Sequence, residues 1–179
     1  MNLIPSVWRT FAYKMADLER HEIDAVQQIY NSCTAISEWD GRTYNPNYVG
    51  ESYEAGILPE GGVKENFRIQ TIRNESMDEI IGFISLYHGY PRESSIYLAF
   101  MGIAADHQKQ GYGKQVVKQL LIEAKRLDYS EIRVNVSLKN WPALRFWTHS
   151  GFNHISGIFG DKKISDEHFA DVELVNELT

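Results

Sequence analysis

One cysteine, five prolines and no long apolar run set the first limits on this chain of 179 residues. Cys33 alone cannot form an intrachain disulfide or a cysteine-rich zinc site, which agrees with a reducing compartment. No stretch approaches the roughly 18 apolar residues of a membrane span. The first ten residues lack a basic segment followed by an apolar run, so no signal peptide is expected and the expected location is cytoplasmic. Positive charge is also short: 18 Lys and Arg against 24 Asp and Glu leave a formal net charge of -6. A phosphate backbone needs clustered Lys and Arg, so neither nucleic acid nor a membrane is an expected partner, and a cationic small molecule or basic peptide is less opposed. No repeat, low-complexity tract or Pro/Gly/Ser-rich linker divides the chain, and its length suits one core of ordinary size. We expect one domain across residues 1–179.

Hydrophobic patterning supplies the elements. Residues 7–13 read as a strand, and Leu18, Ile23, Val26, Ile29 and Tyr30 recur at helical spacing over residues 17–34. Between residues 35 and 64 glycine and proline break the pattern, leaving a long irregular segment with room for one short helix. Residues 66–73 and 79–87 read as a hairpin. Residues 95–103 are apolar on both faces, as a covered central strand is. Residues 111–127 carry the stripe Val116, Val117, Leu120, Leu121 and Ala124 of an amphipathic helix. A strand follows at 131–136, then a short helix at 140–150 with Asn140 as cap and Pro142 in its first turn. Strands at 152–159 and 169–175 come last. This order predicts an α/β domain on a mixed sheet.

The chemistry begins where the central strand runs out. Gln108, Lys109, Gln110, Gly111, Tyr112, Gly113 and Lys114 lead into the long helix. A helix start exposes N–H groups without internal partners, and its dipole adds partial positive charge there. Gly111 and Gly113 have no Cβ to hold a phosphate away from those groups, and Lys109 and Lys114 carry the right charge. A dinucleotide fingerprint would need a third small residue where Val116 stands, and a P-loop would need Ser or Thr where Gln115 stands. Taken alone, the turn is equally a tight entry into a helix.

The second element comes after the next strand, as Asn140-x-x-Ala143-x-x-Phe146-Trp147-x-x-x-Gly151-Phe152. Together with Gln108-x-x-Gly111-x-Gly113, it resembles the GNAT superfamily of acyl-CoA N-acyltransferases, most strongly over residues 96–152. The resemblance implies a mixed central sheet, splayed and flanked by helices, with acetyl-CoA as co-substrate. It places the CoA pyrophosphate on the turn from Gln108 to Lys114. It implies that the pantetheine arm lies beside the central strand, pairing with the backbone of Met101 and Ile103. The N–H of Met101 would then donate to the thioester oxygen, and Gly102 would suit the bulge that splays the strand. Asn140, Ala143 and Phe146 match positions on the far side of the pantetheine; Asn140 serves equally as a helix cap, and Phe146 as core.

Two positions depart from the family pattern. Trp147 stands where many members carry a Tyr whose hydroxyl can protonate the leaving thiolate, and an indole N–H cannot release that proton in the working range. Tyr97 stands where some protein-lysine acetyltransferases carry a Glu base. Catalysis survives these losses on energetic grounds. The thiol of CoA has a pKa near 8.5, and general acid help is worth on the order of 10²–10⁴-fold. Positioning two substrates is worth about 7–11 kcal/mol, and a backbone donor about 3–4 kcal/mol more. A base is still needed for an alkylamine, and His88, Glu93 and His149 are candidates by chemistry alone. Cys33 lies far from the motif in sequence, so direct attack in a ternary complex is expected over a covalent enzyme.

The expected function is therefore N-acetylation of a small primary amine, with Met101 and Trp147 at the reacting end. The alternatives are acetylation of a protein N-terminus or lysine, and a non-catalytic CoA-binding module. Glu38, Asp40, Glu51, Glu54 and Glu60, with Trp39, Tyr44, Tyr48 and Tyr53, outweigh Arg42 and Lys64 in the irregular segment, which suits a polycationic acceptor. No metal is expected, and a homodimer is a possible assembly, as in many members of that superfamily.

Overall fold

The computed structural model describes residues 2–33, 36–41 and 44–178. It opens with a hairpin of β1 (Val7–Arg9) and β2 (Tyr13–Asp17), where the pattern predicts one strand over residues 7–13. The reason is local. Thr10 Oγ1 accepts the N–H groups of Ala12 at 3.2 Å and Tyr13 at 2.9 Å, and this side-chain turn competes with the ladder. The first helix also starts later than expected: α1 is Ile23–Ser32. Asp17 belongs to β2, where its carboxylate accepts from Gln70 at 2.8 Å and pairs with Arg68. A capping box then launches the chain, with Glu22 accepting the N–H of Glu19 at 3.0 Å. The predicted end of that helix at Thr34 lies outside the described residues, as does Arg42.

Two short helices, α2 (Ile36–Asp40) and α3 (Tyr48–Ala55), occupy the segment expected to hold one. α3 is tied to α1 by Gln27, whose Oε1 takes the N–H of Val49 at 2.9 Å, one of the donors a helix start leaves unpaired. There follow β3 (Phe67–Asn74), β4 (Glu79–His88), β5 (Ser95–Ile103), α4 (Tyr112–Arg126), β6 (Glu131–Ser137), α5 (Trp141–His149), β7 (His154–Gly160) and β8 (Ala170–Glu177). The eight strands form one sheet in the order β1-β2-β3-β4-β5-β6-β8-β7. Among the described residues only β5 and β6 run parallel, with α4 as their crossover, so the expected mixed α/β sheet is present.

Helices cover both faces of that sheet. On one face α4 and α5 bury Val116, Leu120, Ala124 and Trp147 against Ile96, Leu98, Ile132 and Val134 of the strands. On the other, α1 and α3 bury Val26, Ile29 and Val49 against Phe67, Ile69, Phe83 and Tyr87. Each Val, Leu, Ile or Phe among them contributes about 1.5–3 kcal/mol. The bulge is the feature that shapes the site. Ser85 opposes Phe100 while Leu86 opposes Leu98, so the extra residue of β5 is Ala99. The expected bulge at Gly102 is thus displaced: Gly102 pairs regularly with Phe83. The bulge also gives β5 two consecutive residues, Ala99 and Phe100, that both pack toward α1 and α3.

Candidate active site

β5 and β6 pair from Ser95 and Glu131 to Leu98 and Val134, and there the ladder stops, one residue before the bulge. A bulge raises the local twist and bends its strand, so β5 turns away from β6 and a gap opens between them. The N–H of Ala104 donates to Ile81 on the β4 side at 2.8 Å. Backbone groups alternate along a strand, so the peptide groups of Met101 and Ile103 face the opposite, unpaired edge. The Ile103 carbonyl confirms the direction: it accepts from Gln108 Nε2 at 2.9 Å.

A cleft of about 540 Å³ lies behind that edge. Met101 and Ile103 form its strand wall. Gln108, Lys109, Gly111, Tyr112, Gly113 and Lys114 form its floor at the start of α4, and Asn140, Ala143, Phe146 and Trp147 face them from α5. Of the residues expected to meet acetyl-CoA, Gln110 alone does not line it. Its amide instead stiffens the turn, donating to the Asp106 carbonyl at 3.1 Å and accepting from Tyr112 Oη at 2.6 Å. The turn itself needs left-handed backbone at Lys109, with φ 61°, and at Gly111, with φ 83°. A Cβ on Gly111 would meet nothing within 4 Å, so the space before the helix start is open. Asn140 Oδ1 caps α5, accepting the Ala143 N–H at 3.0 Å, which leaves its NH₂ group for a ligand.

Trp147 is 6% exposed and held edge-on by Phe146 and Phe152, at centroid distances of 4.9 and 5.0 Å. It is a rigid wall and part of the core at once. Cys33 is where sequence distance misleads. α1 crosses the end of β5, and its C-cap residue Cys33 brings the thiol to 3.8 Å from the Ile103 carbonyl, lining the cleft. Burial pushes that thiol's pKa up. Ser32, His107 and Pro142 also line the cleft without having been expected there, and so do Gly102, expected only as a bulge, and Trp39, expected only as one aromatic of the acidic segment. Trp39 arrives through α2, whose end is pinned over β6 by the Ser137 hydroxyl donating to the Trp39 carbonyl. Composition marks Trp39 as one of four aromatics in the acidic segment, and the fold shows that it is the one lining the cleft.

The three base candidates stay outside. His88 is fully buried at the far end of β4, accepting the Ile4 N–H at 3.1 Å and donating to the Asn66 carbonyl at 2.9 Å. Burial lowers its pKa to about 4. Glu93 is exposed in the turn before β5, at the end remote from the cleft. His149 is exposed on the last turn of α5, with Nδ1 2.6 Å from the Arg145 carbonyl. Tyr97 is no substitute, because burial and then the Glu173 carboxylate push its hydroxyl well above the usual range. Two carboxylates of the acidic segment are committed elsewhere: Glu54 pairs with Arg20 at 2.6 Å, and Glu51 accepts from Asn45 at 2.7 Å. Among the described residues, no group of His, Cys, Asp and Glu could hold a metal ion, and no helix is long and apolar enough to cross a membrane.

The chain is matched by a family model and by solved structures. The model of the acetyltransferase (GNAT) family matches residues 26–152, more than two thirds of the chain. A search of curated proteins finds no match in sequence. Solved structures share the fold. Spermidine N-acetyltransferase from Vibrio cholerae in complex with CoA and spermine superposes with TM-score 0.72 at 16% identity, over 94% of this chain and 97% of that one. A crystal structure assigned as a phosphinothricin N-acetyltransferase gives 0.70 at 19% identity, over 94% and 99%. An N-acetyltransferase from Staphylococcus aureus Mu50 gives 0.67 at 15%, over 93% and 99%. At such identities the likeness establishes the fold alone.

Proposed function

The chain belongs to the acetyltransferase (GNAT) family, and from that premise we propose that it passes the acetyl group directly to the primary amine of a small molecule in the cleft between β5 and β6. It is an N-acetyltransferase, with acetyl-CoA as co-substrate. The observation that carries the finer reading is the meeting of an unpaired strand edge and an open helix start in one cleft. Bound there, acetyl-CoA supplies an activated acetyl group on a thiolate that leaves near neutrality.

The chain's own residues divide the work. The N–H groups at the start of α4, uncovered by Gly111 and Gly113, hold the pyrophosphate with charge from Lys109 and Lys114. Gln108, Gln110 and Tyr112 keep that turn in shape. The Ile103 N–H pairs with the pantetheine, its carbonyl being taken by Gln108. The Met101 N–H donates to the thioester oxygen. Asn140, Ala143 and Phe146 close the far side, and Trp147 walls the reacting end. Among the described residues the lining contains no Asp or Glu but does contain His107, whose Nε2 lies 3.3 Å from the Glu79 carboxylate, so the proton of the acceptor ammonium leaves through water or through that imidazole.

A small acceptor fits the walls better than a folded protein surface, because α2 and Trp39 sit over the β6 end of the cleft. The indole face suits an ammonium, and the excess carboxylate of residues 37–64 favours an acceptor with more than one positive charge. Since Glu51 and Glu54 are engaged outside the cleft, they act through the field rather than by contact. The test is thiol release from acetyl-CoA across a panel of polyamines, amino sugars and anionic amino acids. Turnover is expected with the cationic acceptors, at a KM that rises with salt. Turnover confined to anionic acceptors would reject the acceptor class; no turnover with any amine would reject the catalytic reading.

A further inference from the structure

Among the described residues that line the cleft there is one imidazole, that of His107. It closes a single 3₁₀ turn, Ala105–His107, between β5 and the glycine turn. Backbone bonds fix its place: the Ala104 N–H donates to the Ile81 carbonyl and the His107 N–H to the Ala104 carbonyl, both at 2.8 Å. The side chain is only 17% exposed, so the protein holds it rather than leaving it to solvent. Its Nε2 lies 3.3 Å from Glu79 Oε1 at the start of β4, and its ring lies 6.2 Å from that of Tyr112. Tyr112 belongs to the glycine turn, where it donates to Gln110 and packs on Tyr13 of β2 at 5.1 Å.

This setting leaves one ring nitrogen undecided. An ionised carboxylate only accepts, so Glu79 keeps a proton on Nε2. The neutral ring then carries a lone pair on Nδ1, which has no partner among the described residues. A lone pair repels an anion, whereas a protonated Nδ1 attracts it and donates to it. The surrounding charges oppose one another: Lys109 and Lys114 disfavour the second proton, while Glu79 and Asp106 favour it. Beyond Glu79, Arg73 and Asp78 pair with each other at 3.2 Å. A pyrophosphate on the glycine turn adds negative charge to the same cleft and tips that balance toward the imidazolium.

We propose that His107 is a further cofactor-binding residue, which takes a proton from solvent when CoA binds and then faces the pyrophosphate as a cation. The proposal rests on the pyrophosphate lying on the glycine turn. Glu79 is a positioning residue, fixing the tautomer from outside the cleft. The imidazole is then already charged when the acceptor arrives, which leaves water as the route for the ammonium proton.

Titration calorimetry tests this with dephospho-CoA, which lacks the 3′-phosphate that titrates near neutrality and whose pyrophosphate does not. A unit charge on the order of 8 Å from an anion, at an effective dielectric constant of about 40, is worth roughly fivefold in affinity. The wild-type Kd is therefore expected to rise about fivefold from about pH 6 to about pH 8, with binding heats that depend on the buffer's ionisation enthalpy. His107→Gln is expected to bind throughout as the wild type does at the upper pH, without proton uptake. Glu79 is 45% exposed and outside the cleft, and Glu79→Gln is expected to move the rise to lower pH. A wild-type Kd independent of pH, or a His107→Gln protein that keeps the wild-type dependence, overturns the proposal. So does a His107→Gln protein that loses kcat with its Kd unchanged, which would make the imidazole the acceptor's base. Should His107→Gln misfold, Glu79→Gln decides, and an unshifted profile there overturns the proposal. A wild type that binds neither CoA nor dephospho-CoA rejects the placement of the pyrophosphate, and the role of His107 falls with it.

Discussion

Gly113→Asp separates binding from folding more cleanly than any other change in the cleft. A Cβ at Gly113 would lie 3.3 Å from Met101 Cε and 3.3 Å from Phe146 Cζ, so those side chains must yield by a few tenths of an ångström. Against that cost stands the loss of glycine from a helix, worth roughly half a kcal/mol in favour of Asp, and a carboxylate at the positive helix end, worth about 0.3–1 kcal/mol. The folded state should therefore change little. Binding should not survive. A carboxylate roughly 4–5 Å from a phosphate charge, at an effective dielectric constant near 20, costs about 3–4 kcal/mol, or some 200- to 1,000-fold in Kd. Gly111→Ala is the contrasting control. Its Cβ meets open space, but φ 83° imposes left-handed strain of about 1–2 kcal/mol. That variant should lose stability as well as affinity, because the added methyl enters the space the phosphate would occupy. Titration calorimetry with CoA, alongside urea unfolding, reads both effects. A folded Gly113→Asp protein binding CoA within twofold of wild type would refute the placement of the pyrophosphate.

Trp147→Ala should lose about 3–5 kcal/mol of stability as well as turnover, since the ring is core and wall together, whereas Trp147→Tyr should keep or raise kcat by restoring an acid; thermal unfolding and kcat together check this. His88 yields a pH prediction. Its folded pKa of about 4 lies below the ordinary 6.5, so the unfolded chain takes the proton first. Stability is then full above pH 6.5 and falls as the pH drops toward 4, by about 3 kcal/mol from this group. His88→Gln, which keeps a donor and an acceptor, should flatten that part of a urea-midpoint profile; an unchanged slope would exclude His88 as its source.

The sequence showed the helices and strands that carry strong periodicity, and it missed where local chemistry intervenes. β5 and α4 are legible because nine apolar-rich residues and a helical stripe leave little choice. The β1–β2 hairpin is hidden because one threonine hydroxyl reverses a segment whose alternation continues on both sides. The splay was expected, but its cause was placed at Gly102, the residue with conformational freedom, when register puts it at Ala99. In the site, the turn and the α5 residues follow from contiguous motifs. Cys33 and Trp39 reach the cleft only through the packing of α1 and α2, which no spacing within the chain encodes.

Direct transfer within one cleft is the central claim, and initial rates of thiol release test it most directly, with acetyl-CoA and the best amine both varied. The account predicts double-reciprocal lines that intersect, and a Cys33→Ala variant that keeps wild-type kcat. Parallel lines, with acetyl accumulating on Cys33 in the intact-protein mass when the amine is withheld, would contradict it.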